Sequence, residues 1–124
     1  MTTLHRVCEK LPNNVMFVTA KGSLDINTIP GFEKMVAEIF AANCYQIIFD
    51  LRELIYISSR GSGLFIQALQ TVEKKNGKIV IVGPNPKIME IFKMLGLNQI
   101  FTFVATKDAA IKVFAPSQAN LKKV

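Results

Sequence analysis

The chain has 124 residues, half of them hydrophobic, and a formal charge of +6. That length and apolar content predict one ordered domain with its own core, and exclude general disorder and a need for metal or disulfide staples. The basic residues are scattered, with Lys74, Lys75 and Lys78 the only dense group before the tail, and no aromatics interleave with them as a nucleic-acid surface would require.

The start, Met1-Thr2-Thr3-Leu4-His5-Arg6, has no apolar run after its charge, so a signal peptide is not expected. Val7 to Leu11 and Val15 to Thr19 are short β-like runs around the turn signal Pro12-Asn13-Asn14, which predicts a hairpin. Gly22-Ser23-Leu24-Asp25 then leads into a loop ending at Pro30-Gly31. Phe32, Met35, Val36, Ile39 and Phe40 recur at helical spacing up to about Ala42. Gln46 to Leu51 is a nearly continuous apolar run, as in a covered strand.

After the segment Tyr56-Ile57-Ser58-Ser59-Arg60-Gly61-Ser62-Gly63, the residues Leu64, Phe65, Ala68, Leu69 and Val72 mark a helix that Asn76-Gly77 stops. Lys78 to Gly83 is a further buried-type strand, so Gln46 to Val82 reads as a βαβ unit with parallel strands. Pro84-Asn85-Pro86 opens a third helix, with Ile88, Ile91, Phe92 and Leu95 expected to face inward before Gly96. Ile100 to Val104 reads as the last strand. Asp108 to Phe114 reads as the last helix, with Ala110, Val113 and Phe114 on one side. The expectation is a single α/β domain over 1–114, a mixed sheet of about four to five strands with about four helices, and a flexible tail at 115–124. No apolar run reaches the length of a membrane span.

Chemistry is sparse. His5 is the single histidine and lies near the terminus, so a Ser-His-acid or Cys-His relay has little to work with. Cys8 and Cys44 are too few for a disulfide scaffold and lack metal-ligand spacing; both read as free cytosolic thiols. Gly61-Ser62-Gly63 begins a dinucleotide fingerprint, but Ile66 stands at its third glycine; Gly77-Lys78 is followed by Ile79, not the hydroxyl of a P-loop. No catalytic residue, metal or cofactor is expected. For Asp25 and Asp50 the simplest roles are turn chemistry and strand-end solvation.

The serine cluster carries the functional signal. Ser58 or Ser59 suits the N-cap of the helix holding Leu64 and Phe65. A cap accounts for one serine, not for Ser58, Ser59 and Ser62 gathered with two glycines at a helix mouth that favours negative charge.

In element order and motif, the chain resembles the STAS domain, shared by anti-sigma factor antagonists and the cytosolic tails of sulfate transporters. The marks are Gly22-Ser23-Leu24-Asp25, Asp50-Leu51 ahead of Ile57-Ser58-Ser59-Arg60-Gly61, the strand entry Gly77-Lys78, and Met94-Leu95-Gly96-Leu97 with Ile100-Phe101. The resemblance implies a cytoplasmic anti-sigma factor antagonist that works by partner switching. An anti-sigma factor serine kinase, using ATP bound by the kinase, would phosphorylate Ser59, with Ser58 the lesser alternative. A PP2C-type phosphatase would restore it. Asp25, Ser58, Ser59, Arg60, Gly61 and Ser62 would form the partner-binding surface. Ser58 departs from the Asp that many members carry, and Arg60 from the usual Ser or Ala. Two other readings remain: a constitutive, non-phosphorylated STAS subunit of a transporter-associated or stress-signalling complex, and a small-ligand binder or phosphotransfer enzyme using the helix mouth.

Overall fold

The computed structural model describes residues 3–115; the expected tail at 115–124 lies outside them except for Ala115. In chain order the elements are β1 (Leu4–Leu11), β2 (Val15–Leu24), α1 (Ile29–Ala41), β3 (Gln46–Asp50), β4 (Leu54–Ile57) and α2 (Ser59–Lys74). There follow β5 (Lys78–Val82), α3 (Pro86–Met94), a 3-10 turn (Leu97–Gln99), β6 (Thr102–Val104) and α4 (Lys107–Phe114).

The hairpin forms because Asn13 and Asn14 take left-handed backbone angles, φ 66° and 57°, which Asn tolerates better than most residues. β2 is then flanked by antiparallel β1 and parallel β3, and the sheet runs β1-β2-β3-β5-β6. β3 and β5 are parallel neighbours, as the βαβ pattern predicts. The sheet is mixed.

One strand and one extension were not foreseen. β4 pairs in parallel with Gly22 to Leu24, so those residues complete β2 and do not begin a loop. Four residues with both ends buried and the middle two exposed show neither strand alternation nor a helical stripe. β4 is a strand because the far half of β2 offers it backbone partners. α1 likewise starts earlier than expected, with Pro30 in its first turn, where a missing N–H costs nothing.

Strand residues alternate between two layers of core. Ile47, Phe49, Ile79 and Ile81 face α1, α2 and α3, together with Phe32, Phe65, Ile88 and Phe92. Ile48, Val80 and Val82 face Ala110 of α4, joined by Val15 and Phe17. The stripes of α1 and α2 are buried or partly buried as predicted. Two positions elsewhere are corrected. Val113 is exposed, because α4 lies on the sheet along Ala110, Ile111 and Phe114. Leu95 is 46% exposed, because α3 ends at Met94 and the inward position passes to Leu97 on the 3-10 turn.

Asp50 is also corrected: it is buried, not solvated. Arg52 donates to it from Nε at 2.9 Å, from Nη2 at 2.8 Å and from its backbone N at 3.1 Å. Burial pushes the carboxyl upward, but the hydrogen bonds and charge of Arg52, with Lys107 beyond, hold it below the usual carboxylate range. Asp50→Asn should therefore lower stability at neutral pH by about 1–2 kcal/mol, the scale of charge-assisted hydrogen bonds to a half-exposed arginine. A depressed folded pKa stabilises fully above the unfolded value near 4, and that contribution fades as pH falls through the folded value. Urea titrations across pH should show wild type and variant converging in acid. A gap that persists there contradicts this account.

Candidate functional site at the mouth of the second helix

The chain enters α2 through one tie. The Ser58 N–H donates to the Leu24 carbonyl at 2.9 Å, joining the end of β2 to the helix mouth. Ser58 has extended angles, φ −82° and ψ 166°, and its Oγ accepts from Gly61 N at 3.0 Å. Its carbonyl accepts from Ser62 N at 2.9 Å and from Ser62 Oγ at 3.1 Å. Ser58 is the N-cap.

That assignment releases Ser59. It is the first helical residue, it is exposed, and among the described residues nothing hydrogen-bonds its hydroxyl. The N–H groups of Ser59 and Arg60 likewise have no backbone acceptor among the described residues, as expected of the first turn of a helix. No acidic residue occupies that turn. Anionic charge at Ser59 is therefore met by free donors and the positive end of the helix.

Gly61 and Ser62 were expected on this surface and are instead buried. Ser62 is fully covered, its hydroxyl directed to the Ser58 carbonyl. A Cβ on Gly61 would lie 3.0 Å from Leu24 Cγ and 3.2 Å from Ile57 Cγ1, so glycine lets α2 sit close to β2 and β4. Arg60 is exposed and makes no ion pair among the described residues.

Asp25 lies just beyond Leu24, beside the same mouth. Its Oδ1 accepts from Asn27 N at 2.9 Å, and its carbonyl accepts from the N–H groups of Thr28 and Ile29 at 3.0 and 2.8 Å. Asp25 thus builds the turn into α1, while Ile26 next to it is 81% exposed. His5 stands exposed on β1 opposite Lys21. Among the described residues no group of three or more His, Cys, Asp or Glu side chains is placed to hold a metal. No helix of the described residues is long and apolar enough to cross a membrane.

The sequence pattern did not reveal the apolar half of the site. A groove of about 280 Å³ runs from Ser58 and Ser59 along Tyr56 and Ile57 to Ile91, Met94 and Leu95. Met94 is 79% exposed and Tyr56 46%. Asn85 fixes the groove walls: it caps α3 by accepting from Ile88 N at 2.9 Å, and its Nδ2 donates to the Leu54 carbonyl of β4 at 3.0 Å. The available signal was Met94, which falls off the helical stripe of Ile88, Ile91, Phe92 and Leu95.

The two serines make a direct contrast. Ser58→Ala should cost about 1 kcal/mol for the lost cap, whereas Ser59→Ala should leave thermal stability unchanged. Calorimetry of the pair checks this, and equal losses would mean that the cap is misassigned.

The STAS domain family model matches residues 9–110. The anti-sigma-B factor antagonist of Staphylococcus aureus is 26% identical over 83 residues, covering 67% of this chain and 77% of that protein. Among solved structures, an anti-sigma factor antagonist from Mycobacterium paratuberculosis superposes with TM-score 0.81 at 20% identity, covering 90% of this chain and 94% of the other. The Bacillus cell fate determinant SpoIIAA in its phosphorylated form superposes with TM-score 0.73 at 20% identity, covering 90% and 100%.

Proposed function

The chain belongs to the STAS domain family, and on that premise we propose that it is an anti-sigma factor antagonist switched by phosphorylation of Ser59. The observation that carries the reading is an unengaged, exposed hydroxyl on the rim of an exposed apolar groove. Exposed apolar side chains in contiguous patches mark surfaces that bind other proteins. Ile26, Ile55, Tyr56, Met94 and Leu95 all lie on segments flanking Ser59.

In this proposal the unphosphorylated protein docks its groove on an anti-sigma factor serine kinase, and so frees a sigma factor. The kinase supplies ATP and transfers its terminal phosphoryl group to the Ser59 oxygen; ADP leaves and the hydroxyl proton is released. The product carries about −1.5 to −2 charges at neutral pH. On the free protein that charge is stabilised by the helix mouth, so the fold persists. Against a partner it must be desolvated within an apolar contact, so the complex dissociates. A PP2C-type phosphatase resets the hydroxyl. The presence of a relative in the fold class solved in a phosphorylated form supports this cycle. Arg60, exposed and without an ion pair among the described residues, stands next to the Ser59 charge and would offset part of it, so the switch is the net of this pairing and the desolvation cost. Asp25 contributes by holding the Ile26 turn beside the helix mouth.

The test is incubation with the cognate kinase and ATP, followed by intact-mass and peptide mapping. One phosphate on Ser59 is expected, and none on Ser59→Ala. Modification at Ser58 instead, or none at all, overturns the proposal and favours a constitutive STAS subunit.

A further inference from the structure

β1 is an eight-residue strand at the sheet edge, paired with β2 without a bulge from Leu4 opposite Gly22 to Leu11 opposite Val15. Among the described residues no strand pairs with its other side. The hydrogen-bond phase of that side follows from two contacts. Ser23 N donates to Thr3 O at 2.9 Å, so residues 3 and 23 are a hydrogen-bonded pair. Gly22 N donates away from β1, to Glu53 O at 3.1 Å, so Leu4 opposite it is not. Alternation then makes Leu4, Arg6, Cys8 and Lys10 the residues whose N–H and C=O groups point outward.

Edge strands of this length are commonly blocked by proline, bulges or charge. β1 has neither proline nor bulge, and its charges are compatible with a copy of itself. Two antiparallel copies related by a twofold axis normal to the sheet must match outward residues with outward residues. The two longest registers centre on Val7 or on Cys8. Centring on Cys8 sets Arg6 opposite Lys10 of the second copy, twice, and like charges directly opposed are unfavourable. Centring on Val7 avoids that opposition and sets His5 opposite Glu9 of the second copy, twice, Glu9 being already held by Lys107 Nζ of its own chain at 3.0 Å. It also pairs Arg6 with Cys8, Leu4 with Lys10, and Val7, 61% exposed, with itself. The charges therefore select one register.

We propose that β1 is a self-recognition edge, through which two copies of this chain form a symmetric dimer with a continuous sheet centred on Val7. The interface is distinct from the Ser59 groove and does not depend on the switch. Sedimentation over a concentration series should show a species of twice the 13.8 kDa monomer that dissociates on dilution. Cys8→Pro removes an outward N–H and leaves the β1–β2 ladder intact, so it should be monomeric where the parent is dimeric, and should match the parent's melting temperature at dilutions where both are monomers. In a Cys8→Ser background, Val7→Cys should form a disulfide-linked dimer under mild oxidation. The opposed Cα atoms of a non-hydrogen-bonded pair lie about 4.5 Å apart, within disulfide reach. A parent that stays monomeric at every concentration overturns the proposal and leaves the edge to a heterologous strand or to solvent. Faster cross-linking through Cys8 in the parent than through Val7→Cys overturns the register.

Discussion

Under the proposed switch, Ser59→Asp should weaken binding to an anti-sigma kinase partner on the order of 10²-fold, while Ser59→Ala binds as the parent does. The magnitude comes from desolvation. A carboxylate that must shed its water in an apolar contact, met only by the helix mouth, costs a few kcal/mol, and each 1.4 kcal/mol is tenfold in affinity. Asp carries one charge, so it should be a partial mimic of phosphoserine. The authentic phosphoprotein should approach the roughly 10⁴-fold difference that empties a nearly full complex. Neither change should unfold the protein, because Ser59 makes no side-chain hydrogen bond among the described residues and a charge at the helix start is mildly favourable. Calorimetric titration of the kinase with the parent and both variants measures the effect. Parent-like affinity in Ser59→Asp would contradict the switch.

The second large effect is on stability. Phe65→Ala should lower the unfolding free energy by about 3–5 kcal/mol and the melting temperature by about 10–20 °C. Phe65 is fully buried under α2, with ring centroids 5.4 Å from Phe32, 5.0 Å from Phe49 and 6.0 Å from Phe92. It thus joins α1, α2, α3 and the sheet in one aromatic cluster, and rigid neighbours on every side leave little room for the cavity to collapse. Since folded domains hold about 5–15 kcal/mol in all, this one side chain accounts for a large share. Urea unfolding of parent and variant gives the difference directly. A loss below about 1 kcal/mol would mean that the cluster is not packed as described.

Much of the fold is legible because periodicity is local. Phe32, Met35 and Ile39 on α1, and Phe65, Ala68 and Val72 on α2, announce buried stripes in any context. The runs Gln46 to Asp50 and Lys78 to Val82 announce covered strands, and the helix between them forces parallel pairing. Leu95 and Val113 misled because a stripe extended past a helix end, or across a short helix, no longer states which side meets the sheet.

For the site, the residues alone established that a hydroxyl-rich helix mouth lies between two apolar elements, and the family resemblance nominated Ser59 there. They could not apportion the serines. Which hydroxyl is consumed by the cap depends on the backbone angles of Ser58, set by its tie to the Leu24 carbonyl; which is sealed depends on how closely α2 approaches Leu24 and Ile57. The groove beside Ser59 is likewise a meeting of β4 with the end of α3, held by Asn85 across 31 positions of sequence. Local composition therefore determined the elements and the chemistry available at their ends. Long-range contacts alone decided which of those groups face solvent together, because exposure depends on the neighbours that folding brings and not on the residue itself.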